Sequence, residues 1–128
     1  MVEPVVDADT FLRMQAAVEA VHVDPDIAGY CVDLANGTRE HPAVEVGASP
    51  RGSQALLLLS RSLAVLDGRD FVTPEDVKRT AVPVLAHRLT LTTRAWSQGV
   101  SAADVVAEVV GSVAGPPVSG LTSSRQPA

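Results

Sequence analysis

The sequence predicts an all-α fold, a bundle of about five helices with a minor two-stranded ribbon beside it. Three segments begin with a helix N-cap residue followed directly by proline, which suits the first helical position. Apolar residues recur every three or four positions after these starts. Apolar residues make up 46% of 128 residues and aromatics only 3%. The chain is therefore long enough for one domain with a mainly aliphatic core.

The first two helices are predicted from their starts and their apolar spacing. An extended lead-in over residues 1–8 precedes a helix that starts near Asp9. The second helix has Asp24 as its N-cap and Pro25 in first position, and Asn36-Gly37 is predicted to end it. The expected inner faces are Phe11, Met14, Val18 and Val21 in the first helix, and Ile27, Tyr30, Cys31 and Leu34 in the second.

The third helix is predicted to be central to the bundle. Ser49 suits the N-cap, Pro50 the first position, and Gly68 the residue just past the end. The apolar side chains cover most of its circumference, which is typical of a buried helix. The expected stripe is Leu56, Leu59, Leu63 and Leu66, widened by Ala55, Leu57, Leu58 and Val65.

The remaining elements follow from caps, alternation and composition. Thr73 caps a fourth helix that Pro83 should kink or end, and a last helix should run from Ser101 to about Val113. Alternating residues 44–46 and 88–92 are predicted to pair as the ribbon. We expect residues 1–114 to form the domain. Residues 115–128, rich in glycine, proline and serine, are expected to form a disordered tail.

One residue breaks the pattern of the helix starts. The helices starting at Asp24, Thr73 and Ser101 each carry an acid in the first turn, whereas the third helix carries Arg51. A cation at this positive end of the helix dipole is unfavourable by roughly 0.3–1 kcal/mol. A bound phosphate would remove the conflict, because helix N-termini and guanidinium groups both bind anions. The alternative is that Arg51 is solvated or paired with a carboxylate such as Glu45.

A phosphate-binding P-loop is not predicted, although Gly47 and Gly52 have the spacing of G-x-x-x-x-G. Lysine should follow the second glycine, and Ser53 stands there instead. Pro50 also removes one of the backbone donors that would hold phosphate. We therefore expect no nucleotide hydrolysis by this chain alone.

Charge and composition argue against several other classes of function. The net charge of −5 argues against nucleic acid or an anionic membrane surface as a partner. His22, His41 and His87 lack the spacing of metal ligands, so no metal site is expected. The single cysteine, Cys31, lies on an apolar helix face and fits a buried residue in a reducing cytoplasm. No apolar run approaches the ~18–20 residues that span a bilayer.

Three long segments resemble one known family. They are HVDPDIAGYCVDLANGTREHP, GASPRGSQALL and SLAVLDGRDFVTPEDVKRTAVPVLAHRL. Together they are similar to the C-terminal helical lid domain of MoxR-type AAA+ ATPases, and the resemblance extends over about residues 7–114. Arg51 matches the sensor 2 arginine of that family, with Ala48, Ser49 and Pro50 beside it at the nucleotide.

The resemblance implies a function for the parent protein, meaning the longer chain of which such a lid is part. The parent would bind ATP and Mg²⁺, would hydrolyse ATP, and would remodel other proteins in a chaperone-like way. Its expected partners are its own AAA+ core domain, identical subunits in a hexamer, and von Willebrand factor A-domain proteins. The lid by itself should hold no nucleotide tightly.

The AAA+ core is not in the sequence, and this leaves two interpretations. Met1 followed directly by sequence typical of the middle of a protein favours an excised fragment. The alternative is a stand-alone helical protein-interaction domain without nucleotide function. The sequence identifies neither the remodelled protein nor the role of the turn Arg39–His41.

Overall fold

The computed structural model describes residues 1–121, which form six helices and a two-stranded antiparallel ribbon. The predicted fold class is confirmed. The one helix that was not predicted is α5, whose five residues are too few to show an apolar period. The helices are α1 Ala8–Glu19, α2 Pro25–Glu40, α3 Pro50–Leu66, α4 Pro74–Leu85, α5 Thr93–Ser97 and α6 Ala102–Ser112; the strands are β1 Val44–Val46 and β2 Thr90–Leu91.

Helix α3 is central, as predicted, and packs against α1, α2 and α4. Its buried face differs from the predicted leucine stripe: Leu59 is 42% and Leu66 80% exposed. Small residues dominate the buried face because they let the neighbouring helices approach closely. That face comprises Gly52, Leu56, Ser60 and Ala64, spaced four apart.

Helix α2 does not end at Asn36-Gly37 as predicted but continues to Glu40. A Cβ atom on Gly37 would lie only 2.8 Å from Val109 Cγ1 of α6. This glycine therefore makes room for a neighbouring helix and does not end its own. The extra turn of α2 brings Thr38 and Arg39 to the start of α3.

Helix α1 contacts α3 without burying any of its own residues. The predicted inner face is therefore wrong for Phe11 and Met14, which are 52% and 49% exposed. Val21, just beyond the helix, is buried as predicted. The described residues leave an apolar surface on α1 uncovered.

The ribbon joins the α2–α3 connection to the α4–α5 connection. Val44 of β1 lies opposite Leu91 of β2, and Val46 opposite Thr90, with an irregularity between the two pairs. The predicted pairing of residues 44–46 with the segment 88–92 is thereby confirmed. The ribbon thereby holds the segment before α3 next to the segment after α4, beside the start of α3.

A compact connection links α3 to α4. Gly68 adopts a left-handed conformation with φ 72°, and the Arg69 backbone N–H donates to the Ala64 carbonyl at 2.8 Å. The Arg69 guanidinium donates two bonds to Asp76, at 2.7 and 2.8 Å. Asp76 and Thr73 complete a reciprocal capping box at the start of α4.

Helix α4 ends close to Pro83, as predicted. The proline lies in the last turn, the helix continues two residues to Leu85, and a 3-10 turn follows over Ala86–Arg88. This places Arg88 at the carboxyl end of α4, where its Nε donates to the Val84 carbonyl at 3.0 Å.

The segment predicted as a disordered tail is described only up to residue 121. Val118–Gly120 form a 3-10 turn, and the Leu121 side chain is 7% exposed within the core cluster. A Cβ atom on Gly115 would contact the Tyr30 ring at 3.4 Å. Residues 122–128, which belong to the same prediction, lie outside the described residues.

Candidate functional site

The candidate site lies at the N-terminus of α3, where the sequence placed it. Ser49 takes the N-cap position with an extended backbone, but its side chain makes no capping bond, contrary to the prediction. The Gly52 N–H bonds to the Ser49 carbonyl at 2.8 Å. Within residues 1–121, no acceptor binds the Arg51 N–H. This helix start therefore presents a free backbone donor beside a cationic side chain.

Arg51 is exposed and projects from a first turn that contains no acid. No carboxylate of the described chain forms an ion pair with it, and Glu45 pairs with none of its atoms. The alternative in which Glu45 neutralises Arg51 is therefore not realised. The local electrostatics favour an anion, because the guanidinium and the helix dipole carry the same sign.

Ala48, three residues before Arg51, is completely buried, and both of its backbone polar groups are bonded to α2. Its N–H donates to Thr38 Oγ1 at 2.9 Å, and its carbonyl accepts from Arg39 Nε at 2.7 Å. Ala48 therefore serves as the fixed point from which α3 starts. Neither its side chain nor its bonded backbone groups are exposed to a ligand, so Ala48 positions the start of α3 and does not itself present a group to a nucleotide.

A second arginine lies beside the start of α3, which the sequence analysis did not foresee. A Cβ atom on Gly52 would lie 3.8 Å from Arg88 Cδ and 3.2 Å from Leu85 Cδ2. Arg88 is exposed, and its bond to Val84 directs its stem along the end of α4. The start of α3 thus carries positive charge from two different elements.

The turn Arg39–His41, to which the sequence assigned no role, is hydrogen-bonded to the chain that follows it, to α6 and to the residue before the N-cap of α3. His41 Nδ1 accepts from the Ala43 N–H at 3.1 Å, and His41 Nε2 donates to Glu108 of α6 at 2.9 Å. The Arg39 bond to Ala48 adds the link to α3. These bonds order the turn, and Arg39 takes part through hydrogen bonds without forming an ion pair with a described residue.

The described part of the chain presents neither a cluster of metal ligands nor a reactive thiol. No group of three or more histidine, cysteine, aspartate or glutamate residues among residues 1–121 is placed to hold a metal ion. Cys31 is buried, and burial raises the pKa of its thiol to about 11, which suppresses the nucleophilic thiolate. None of the described helices is long and apolar enough to cross a bilayer.

Comparison with known proteins identifies the fold and the family. The family model described as the AAA lid domain matches residues 36–109. A crystal structure of a suspected ATPase from Cytophaga hutchinsonii superposes with a TM-score of 0.84, over 90% of this chain and 38% of that one, at 23% identity. The chain therefore belongs to the AAA lid domain family.

Curated relatives indicate the type of ATPase whose lid domain this chain resembles. The chain is 38% identical over 111 residues to the uncharacterised protein YeaC of Bacillus subtilis, covering 87% of this chain. It is 34% identical over 119 residues to chaperone MoxR1 of Mycobacterium tuberculosis, covering 86% of this chain. It is also 40% identical over 68 residues to protein MoxR of Paracoccus denitrificans, covering 53% of this chain and 19% of that protein. These relatives support a C-terminal lid domain of the MoxR type.

The chain spans about a third of the length of its relatives, 35% of YeaC and 32% of MoxR1.

Proposed function

We propose that this chain is the lid through which a MoxR-type AAA+ ATPase senses its nucleotide, and that Arg51 contacts the terminal phosphate of ATP. The observation that carries the proposal is the start of α3. It combines an arginine without a carboxylate partner in the described chain and a free backbone N–H, where the other predicted helix starts carry acids. The family to which the chain belongs supports a nucleotide as the anion.

In this proposal the chain supplies charge and position, while the parent's core supplies the rest of the chemistry. ATP and Mg²⁺ would be held by the core, since residues 1–121 contain no cluster of metal ligands. Phosphate binding would attract Arg51 and close the lid over the nucleotide. A closed lid would signal the nucleotide state to neighbouring subunits as a shift between two orientations.

The partners follow from the family and from the uncovered face of α1. We place the AAA+ core domain of the same chain against the exposed side chains Phe11 and Met14, which no described residue covers. By resemblance, the parent assembles as a homo-hexamer in the cytoplasm and acts as a chaperone-like remodelling ATPase with von Willebrand factor A-domain proteins. Nucleic acid and membranes are not among the proposed partners.

The competing hypothesis is a stand-alone helical interaction domain. The exposed Phe11, Met14 and Trp96 would suit it equally, and Trp96 is 75% exposed. The full-length gene discriminates between the two. An upstream G-x-x-x-x-G-K-[ST] motif supports the lid, whereas its absence supports the interaction domain.

The proposal is tested by replacing Arg51 with alanine in the parent and in the isolated lid. In the parent, the change removes a charge-assisted contact worth about 1.5–3 kcal/mol, so turnover or nucleotide affinity should fall roughly ten- to hundredfold. In the isolated lid, the unfolding free energy should stay unchanged or rise within about 0.3–1 kcal/mol, because the arginine opposes the helix dipole.

The matched control is Arg79→Ala, which removes an exposed arginine of α4 that pairs with Asp67 at 3.3 Å. It should leave the parent's turnover unchanged. Steady-state hydrolysis and denaturant unfolding measure the two effects. If Arg51→Ala destabilises the isolated lid and spares hydrolysis, Arg51 is a structural residue and the proposal is wrong.

A further inference from the structure

We propose that Arg39 is a positioning residue for Arg51, acting through the backbone of Ala48. The inference rests on the proposed function, since it assigns a second residue to the same phosphate site. Arg39 belongs to the turn for which the sequence suggested no specific role, and it reaches α3 from the last turn of α2.

The first support is that α2 binds both backbone polar groups of one buried residue, Ala48. Thr38 is fully buried, donates its hydroxyl to the Ala35 carbonyl at 2.7 Å and accepts from the Ala48 N–H at 2.9 Å. Arg39 Nε donates to the Ala48 carbonyl at 2.7 Å. Loss of either partner would leave a buried backbone group without its bond.

The second support is the close packing of Gly47 on Arg39. A Cβ atom at position 47 would lie 2.5 Å from Arg39 Cγ, 2.6 Å from its Cα and 2.7 Å from its backbone nitrogen. Arg39 is itself held by a bond from Nη1 to Asn36 Oδ1 at 2.7 Å. The chain that enters α3 therefore runs directly along a fixed side chain.

The third support is that no side chain caps this helix start. The Ser49 side chain makes no capping bond, so the nearest hydrogen bonds from another element to the chain entering α3 are those at Ala48. Only Ser49 and Pro50 separate Ala48 from Arg51. A displacement of Ala48 would therefore shift Arg51 as well, and a misplacement of about 1 Å can reduce turnover on the order of a hundredfold.

The test is a double-mutant cycle in the full-length ATPase, with the wild type, Arg39→Ala, Arg51→Ala and the double variant. We measure kcat and KM for ATP. Arg39→Ala should lower kcat/KM roughly tenfold, the effect of losing one charge-assisted hydrogen bond. In the Arg51→Ala background, the same change should cost less than about twofold, because the residue it positions is absent.

Arg39→Gln separates position from charge. The glutamine amide nitrogen occupies the same place along the side chain as Arg39 Nε and retains the donor to Ala48 without the charge. Most of the wild-type kcat/KM should therefore return. A glutamine variant as impaired as the alanine variant would mean that Arg39 contacts the nucleotide itself, and would overturn the inference.

The control for general damage to the lid is Arg69→Ala. Arg69 binds Asp76 beyond the far end of α3, so its loss should destabilise the lid, and any effect on turnover should persist in the Arg51→Ala background. If the effect of Arg39→Ala also persists in the Arg51→Ala background, Arg39 acts independently of Arg51. The inference about Arg39 then fails, while the proposed function of Arg51 stands. If Arg51→Ala leaves turnover intact, the proposed function fails, and this inference fails with it.

Discussion

At the scale of single residues, the chain uses its arginines for opposite purposes. Arg69 is neutralised by two carboxylates, Asp76 at 2.7 Å and Asp67 at 3.0 Å. No ion pair with a described residue is formed by Arg51, which lies where the dipole opposes it. This contrast is the reason for the proposed phosphate contact at Arg51.

The Arg69–Asp76 pair predicts a pH dependence. Burial acts to raise the pKa of Asp76, but bonds from Arg69 and Thr73 outweigh it and hold the pKa below its ordinary 3.8. A carboxyl group with a depressed folded-state pKa stabilises the fold above its unfolded pKa. That contribution is lost as the pH falls from about 4 through the folded-state pKa.

We therefore expect Asp76→Asn to lower the unfolding free energy at pH 7 by about 1.5–3 kcal/mol and to flatten its acid dependence. Asp67→Asn is the matched control, because the Asp67 side chain is 45% exposed and such pairs contribute at most about 1 kcal/mol. Urea unfolding between pH 3 and 7 measures both. Equal losses in the two variants would contradict the assignment.

At the scale of elements, the ends and faces of the helices depend on their neighbours. Two glycines of α2 illustrate this. Gly37 faces α6, where a Cβ atom would meet Val109 Cγ1 at 2.8 Å and Val113 Cγ2 at 3.3 Å. Gly29 has nothing within 4 Å of the same built atom.

Alanine substitutions at these two glycines should consequently change the unfolding free energy in opposite directions. Gly29→Ala should raise the unfolding free energy by about 0.5–1 kcal/mol, because alanine favours the helix. Gly37→Ala gains the same propensity but pushes a Cβ into Val109, with an overpacking cost of typically 1–3 kcal/mol. Guanidinium unfolding of each variant measures the difference. A Gly37→Ala protein as stable as Gly29→Ala would show that α2 and α6 pack less closely.

At the scale of the whole molecule, the described chain is an AAA lid domain. It presents one cationic helix start and one uncovered apolar helix, and residues 1–121 contain no metal-ligand cluster. In the proposed function, both exposed features meet other parts of a larger protein. This agrees with a chain that spans about a third of its relatives' length.

We expect the purified chain to show no ATPase activity and weak affinity for ATP. It has no P-loop lysine, and one arginine with one helix terminus offers few phosphate contacts. Phosphate release above a protein-free blank, retained through a second purification, would refute this. Calorimetric titration with ATP and Mg²⁺ measures the affinity, and Arg51→Ala is the control for whichever weak binding remains.

The sequence alone determined where most helices begin, because an N-cap involves only residues a few positions apart. The starts after Asp24, Thr73 and Ser101 are confirmed with their capping bonds, and the ribbon pairing is confirmed as well. Arg51 was recognisable as a candidate for the same reason, since it departs from a local rule. The family resemblance then supplied the phosphate as a hypothesis.

The tertiary structure decided the features that depend on contacts between elements. Asn36-Gly37 has the composition of a helix end, yet the helix continues because the glycine faces another helix. The Arg39 bond joins residues nine positions apart across two helices, and Arg88 reaches α3 from the end of α4. No local pattern encodes such distances. Packing between helices therefore set the surroundings of Arg51, while the sequence set the residue itself.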